Sequence, residues 1–322
     1  MGKGIDLAST GFVVGTALGP TEDIETWLAS GDALGGESVG EISYEAFTAR
    51  LSRCRSVAAS FGGPIGVFSA ACVSGLCAVE QAAADLALGR ARCMVVGAVD
   101  SLGCLMRGGF SSLQALALSG YLRPFDAESE CDGIVIGEAA CFLVLEPLAA
   151  ATERGARVHG LLVIQRLFSD SLHLVSPDPS GEAMTRAIKS TLEDVALRPE
   201  RIGCITASAV GSSAYDRMLS HALQGSLGGE QARIPITTFE PFVGHVLAAG
   251  GPLSKAHATM LIEAGAVHPA FPAEQVAPEC RLRYTFPGKR LLHSPFVLTL
   301  IVGFGGQNGV CLVAAGEGLG RS

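Results

Sequence analysis

Short runs of β-branched and apolar residues alternate along the 322 residues with longer stretches whose apolar positions recur at helical spacing. That alternation is the signature of an α/β protein. "GFVVGTALG" and "IGVFSAA" read as strands. From Cys72 to Leu88 the chain is apolar except at Ser74, Gly75, Glu80, Gln81 and Asp85. So thin a polar stripe predicts a helix buried on most sides, with Gly89 as its C-cap. "CMVVGAVD" and "AACFLVLEPL" follow as buried strands. A second series opens near Val158: strand "VHGLLVIQRLF", amphipathic helix "SGEAMTRAIKSTLEDVAL", strand "RIGCITASAV", helix "PLSKAHATMLIEAG" and a closing hairpin, "FVLTLIVGFGGQNGVCLVAA". The two series have a similar order and join near "AAATERGARVHG". The pattern predicts two α/β halves, 1–155 and 156–322, with helices sandwiched between sheets.

Composition sharpens this picture. The chain is 48% hydrophobic and 17% charged, where about 25% charged is usual. So few charges imply a large core or apolar surface covered by another subunit. A net charge of −8 argues against nucleic acid or an anionic membrane as partner, since both demand clustered Lys and Arg. The ten cysteines form no CxxC pair and no Cys/His cluster at zinc spacing, so no metal site is expected. Most lie in apolar runs, which reads as reduced thiols in the cytoplasm. The opening "MGKGIDLASTG" has no apolar signal core, and the longest apolar run is broken by Gln307 and Asn308. It reads as two strands, not as a membrane helix. "GFGGQNG" misses the GxGxxG spacing of a dinucleotide fold, and no P-loop is present.

The candidate chemistry centres on "SAACVSGLCA", Ser69 to Ala78. Taken alone, Cys72 reads as a small buried core residue. A cysteine at a helix N-terminus also faces the positive end of the dipole, which favours a nucleophilic thiolate. Other stretches decide between the two.

"SAACVSG", "RPFDAESECDGIVIGEAACFLVLEPL", "DPSGEAMTRAIKSTLEDVALRPERI", "FVGHVLAAGG" and "GFGGQNG" together resemble the β-ketoacyl-acyl-carrier-protein synthases of the thiolase-like superfamily. Each piece alone is weak; the ordered set, from about Gly11 to Ala315, is specific. The resemblance implies a thiolase-like fold: two duplicated α/β halves in a layered α-β-α-β-α sandwich. It puts Cys72 at the nucleophile position and His245 at the second catalytic histidine. It implies an oxyanion hole from the backbone N–H groups of Cys72 and Phe304, such donors being worth about 2.7–4 kcal/mol each. Ala70, Ala71, Ser74 and Gly75 are expected to leave room for an acyl chain. No cofactor is implied; acyl groups would arrive as phosphopantetheine thioesters of an acyl carrier protein.

Three departures stand out. "SAVGSSAYD" puts Ser208 where the family carries its first histidine, with Gly211 and Asp216 keeping the frame. Glu240 in "TTFEPFVGH" replaces a lysine that pairs in the family with a glutamate, here Glu138. Two carboxylates would then face each other, and one must be protonated or turned away. Finally, "GFVVGTALG" begins near residue 11, without the strand that precedes it in full-length relatives. That strand is expected inside the first half's sheet, so its absence calls for rearrangement or a partner.

The leading expectation is a ketosynthase-like subunit that pairs with a full ketosynthase and shapes its acyl tunnel, as chain-length-factor partners do in polyketide or aryl-polyene-type systems. It would be impaired in decarboxylative condensation, because a serine hydroxyl stabilises a developing enolate less well than an imidazole. A stand-alone acyltransferase or synthase using Cys72 and His245 is the alternative. A non-catalytic acyl or carrier-protein binding module is the third.

Overall fold

The computed structural model describes residues 4–19, 21–30, 60–126, 133–230, 233–269, 277, 280, 282 and 290–316. The first half contains β1 (Thr10–Gly15), α1 (Thr21–Ser30), β2 (Ile65–Phe68), α2 (Ser74–Ala87), β3 (Cys93–Asp100), α3 (Cys104–Ser112), β4 (Ala139–Leu145) and α4 (Leu148–Glu153). The second contains β5 (Leu161–Ser169), α5 (Glu182–Asp194), β6 (Ile202–Ala207), α6 (Ser213–Ser226), β7 (Ile236–Thr237), α7 (Glu240–Val243) and α8 (Gly250–Ala264). It continues through the short β8 (Ala266–Val267) and β9 (Arg290–Leu291) to the hairpin β10 (Phe296–Val302) and β11 (Gln307–Ala314).

The apolar runs build two sheets. The first has the order β2-β1-β3-β4 and the second β7-β6-β10-β11-β5. In each, the strand after the parallel set turns antiparallel: β4 against β3, and β11 against β10. The central α2 packs on the first sheet through Ala78, Val79 and Ala82 against Val13, Met94 and Val96. The other central helix, α8, packs on the second sheet through Ala258 and Leu261 against Val297, Cys311 and Val313. The helices cross at two glycines: a Cβ on Gly75 would lie 2.2 Å from the Ala248 carbonyl oxygen, and one on Gly251 2.8 Å from Leu76 N. Only residues without a side chain allow that approach.

Four expectations need correction. The helix expected from Cys72 begins at Ser74 and is C-capped by Leu88. Gly89, expected at that cap, follows it in the left-handed region (φ +68°), where glycine is at ease. The first sheet has no gap, because β1 pairs directly with β3 from Thr10↔Cys93 to Gly15↔Ala98. Against the second sheet's order, the place short of a strand among the described residues is the edge beyond β4, where β5 lies beside β11 in the other half. For the same reason β4 is not a buried strand: it alternates half-buried with exposed residues, including Phe142 and Val144. Lastly, Ser74 and Gly75 do not leave room for an acyl chain. Gly75 is filled by the crossing helix, and Ser74 is wholly buried.

Candidate active site

Cys72 sits in the tight connection from β2 to α2, two residues before the helix begins. The turn is pinned by Ser74, whose hydroxyl accepts from Ala70 N (2.7 Å) and donates to the Ala71 carbonyl (2.6 Å). Ala71 is held at φ +50°, a conformation of order 1–3 kcal/mol unfavourable for a residue with a Cβ. It is tolerated because the buried helix start over-determines the turn. The result is a nearly buried Cys72 (5% exposed) at the positive end of α2.

The histidine loop is clamped from the first half. His245 N donates to the Val135 carbonyl (2.7 Å), and Gly137 N donates back to the His245 carbonyl (3.0 Å). A Cβ at Gly137 would lie only 1.9 Å from the Val243 carbonyl oxygen, so the clamp needs that glycine. Gly244, at φ +77°, turns the chain into it. His245 Nε2 thereby stands 3.2 Å from Cys72 Sγ.

Behind the imidazole lies Glu240, 2% exposed, with Oε1 3.9 Å from His245 Nδ1. It accepts from the hydroxyls of Ser208 and Thr238, each at 2.6 Å. Burial works against a charged His245 ring, but Cys72 first and Glu240 second outweigh it and push its pKa up to about 10. The expected meeting of two carboxylates does not arise. Glu138 is turned away into solvent and accepts from Leu102 N (3.0 Å). Ser208, at the end of β6, serves Glu240 and is itself anchored by its N–H to the Leu300 carbonyl (2.8 Å).

The glycine turn of the closing hairpin completes the surroundings. A Cβ on Gly303 would be 3.4 Å from Cys72 Cβ, so the turn packs directly on the cysteine. The ring of Phe304 stacks on Phe110, centroids 5.6 Å apart. Cys72, Phe304, His245, Glu240 and Ser208 thus converge; Glu138 does not. Among the described residues, no three His, Cys, Asp or Glu side chains are grouped to hold a metal.

Sequence reasoning missed two contributors. Asp100, at the end of β3, accepts from Ala17 N, from the Thr16 hydroxyl and from Ala248 N (each at 2.9 Å). It ties the segment after His245 to the first sheet. Burial raises the Asp100 pKa, while these donors oppose the rise. Thr238 was missed as the second hydroxyl on Glu240. A buried strand ending in an acid was the available signal for Asp100; Thr238 offered none.

A thiol, an imidazole and a carboxylate in line can carry out acyl transfer: the imidazole takes the thiol proton and the carboxylate orients and charges the ring. The fold and this constellation define a thiolase-like protein with a buried cysteine–histidine pair. Comparison with known proteins narrows the class. The model of the beta-ketoacyl synthase N-terminal domain matches residues 3–151, and that of the C-terminal domain matches residues 160–274. The chain belongs to the beta-ketoacyl synthase family.

Among curated relatives, it is 32% identical over 252 residues to 3-oxoacyl-[acyl-carrier-protein] synthase 2 of Synechocystis, covering 76% of this chain and 60% of that one. It is also 32% identical over 271 residues to the tetracenomycin polyketide synthase ketoacyl synthase alpha subunit of Streptomyces glaucescens, covering 82% and 63%. The chain thus spans about 60% of the length of these relatives. Among solved structures it resembles a type II polyketide acyl-carrier protein in complex with its ketosynthase bound to the hexaketide (TM-score 0.86, 26% identity, 97% of this chain and 79% of that one). The ishigamide ketosynthase/chain length factor gives a TM-score of 0.82 at 25% identity, over 95% and 75%.

Proposed function

We propose that this chain is an acyl-accepting, ketosynthase-like subunit of a fatty-acid or polyketide system. It pairs with a full ketosynthase, shapes the shared acyl tunnel and is itself impaired in decarboxylative condensation. Its donor is an acyl group on the phosphopantetheine thiol of a carrier protein. Cys72 Sγ attacks the thioester carbonyl, the carrier thiolate leaves, and the proton taken by His245 passes to it; the Cys72 thioester is the product. The N–H groups of Cys72 and Phe304 receive the oxyanion. The free thiols among the described residues fit the cytoplasm.

The observation that carries the reading is the Ser208–Glu240 hydrogen bond. Where relatives of this type offer a second imidazole to a developing enolate, this chain holds a buried carboxylate saturated by hydroxyl donors. Negative charge there opposes carbanion formation and, through His245, supports a thiol-to-thiol exchange. The relatives add weight: one of the similar structures is a ketosynthase/chain length factor, and another joins a ketosynthase to its acyl-carrier protein.

The test is reconstitution with the full-length ketosynthase encoded nearest this chain. A stoichiometric heterodimer should form, and its β-ketoacyl product should survive Cys72→Ala in this chain but not loss of the partner's own cysteine. If Cys72→Ala or His245→Ala abolishes condensation while the partner's cysteine is dispensable, this chain is the condensing subunit and the proposal is wrong. The Cys72–His245–Glu240 line favours one second reading, a stand-alone acyltransferase. That reading gains if the isolated chain transfers acyl groups from one carrier thioester to another thiol.

A further inference from the structure

Cys72 and His245 come from different halves, and each stands in the turn ahead of a central helix: Cys72 two residues before α2, His245 five before α8. Each turn holds one residue with a side chain in the left-handed region, Ala71 at φ +50° and Leu247 at φ +52°. Such a conformation persists only where the surrounding bonds over-determine it. Among the described residues no backbone hydrogen bond joins the two turns to each other. His245 Nε2 and Cys72 Sγ are nevertheless held 3.2 Å apart.

One buried carboxylate reaches both. Asp100, 7% exposed, accepts at Oδ2 from Ala248 N (2.9 Å), the residue after Leu247. At Oδ1 it accepts from the Thr16 hydroxyl and from Ala17 N, each at 2.9 Å, and Ala17 N also lies 3.2 Å from Oδ2. Thr16 and Ala17 in turn hold the strand end that leads into the cysteine turn. Thr16 N donates to the Phe68 carbonyl (2.9 Å), and the Ser69 hydroxyl donates to the Ala17 carbonyl (3.2 Å). The bonds thus run from Ser69 through Ala17 and Asp100 to Ala248, and end three residues from Cys72 on one side and three from His245 on the other. This linkage demands a carboxylate. Ala17 N and Ala248 N can only donate, and two acceptor oxygens serve both directions at once. An amide would satisfy one side and turn its NH2 against an N–H on the other. The crossing at Gly75 and Gly251 sets α2 against α8, and Val135 and Gly137 hold the His245 backbone. Asp100 holds the turn that lies between those two anchors.

We propose that Asp100 is a positioning residue: by bonding Ala248 and the Thr16–Ala17 junction at once, it keeps the His245 imidazole within reach of the Cys72 thiol. It touches neither reacting atom and acts through the two turns. What the pair is used for rests on the acyl-transfer reading; the positioning itself does not, and its test needs no acyl donor.

The test is a double-mutant cycle on the full chain. Imidazole 15N shifts against pH give the His245 midpoint in the parent, in Asp100→Asn, in Cys72→Ala and in the double variant, with circular dichroism and urea melts reporting the fold. Burial lowers the His245 pKa, and Cys72 is foremost among the groups that raise it, an effect of proximity. With Cys72 present, Asp100→Asn should lower the proton affinity of His245 by about tenfold, one pKa unit. With Cys72→Ala the same change should lower it by about threefold or less, the part due to the lost Asp100 charge alone. Ser69→Ala changes no charge and breaks the last bond on the cysteine side; it should move the midpoint in the same direction by a smaller step. Equal shifts with and without Cys72 would show that Asp100 acts by its charge only and would overturn the proposal, as would no shift in either. Should Asp100→Asn fail to fold, Ser69→Ala and Thr16→Val decide: a His245 midpoint unchanged in both overturns it. The expected coupling in a protein whose Cys72 takes no acyl group from any carrier thioester would uphold the positioning and refute acyl transfer alone.

Discussion

Glu240→Gln removes one negative charge behind His245 and keeps nearly the same volume. At 3.9 Å and an effective dielectric of about 20, a full charge pair is worth roughly 332/(20 × 3.9), or about 4 kcal/mol. That is about three pKa units, an upper bound, because Cys72 raises the ring more than Glu240 does. The His245 pKa should therefore fall from about 10 by about one to two units. Imidazole 15N shifts followed against pH in histidine-labelled protein read this directly. Cys72→Ser should lower the midpoint further than Glu240→Gln. The sign for stability follows. The folded pKa lies above the unfolded value of about 6.5, so the protonated ring contributes fully below pH ~6.5 and loses its contribution as pH rises towards 10. The variant should be less stable than the parent at neutral pH, and the difference should fade as pH rises towards 10. A His245 midpoint unchanged in Glu240→Gln would refute the assignment of Glu240 as the group that charges the ring.

Other expectations concern the scaffold. Ser74→Ala removes both hydrogen bonds that hold the Cys72 turn; it should destabilise by about 1–3 kcal/mol in urea melts and slow alkylation of Cys72. Gly75→Ala drives a methyl into the Ala248 carbonyl, and a loss of about 1–3 kcal/mol or more should show in thermal unfolding. Gly137→Ala should leave the sheets intact by circular dichroism but displace His245, lowering acylation of Cys72 by about tenfold or more. Iodoacetamide at neutral pH should label Cys72 ahead of Cys93, Cys204 and Cys311, whose thiols burial pushes up.

Apolar periodicity made the strands and both central helices legible, because alternation and a narrow polar stripe survive in any tertiary context. The start of α2 was misplaced by two residues. Cys72 and Val73 are as apolar as the helix that follows, and the turn is made by a positive φ at Ala71 that no residue type announces. "AACFLVL" read as buried because an apolar run does not reveal which neighbour it lacks. The edge position of β4 emerges only when the two sheets are laid side by side. At the site, the ordered motifs brought Cys72, His245 and Phe304 within reach of a reading from sequence. The conflict expected between Glu138 and Glu240 was a matter of direction: one carboxylate points to solvent and the other into a cage of hydroxyls. Asp100 was marked only as an acid ending a buried strand; two of its three partners are backbone N–H groups, which no residue type announces.

The central claim separates acyl loading from condensation, and one experiment addresses both. The isolated protein is given an acyl thioester of a carrier protein, then the malonyl thioester, and intact-protein mass spectrometry follows the acyl group while chromatography follows β-ketoacyl product. The account expects an acyl adduct on Cys72, absent in Cys72→Ala, that persists after malonyl addition with little or no β-ketoacyl product. Rapid discharge of the adduct with stoichiometric β-ketoacyl formation, or no adduct at all, would contradict it.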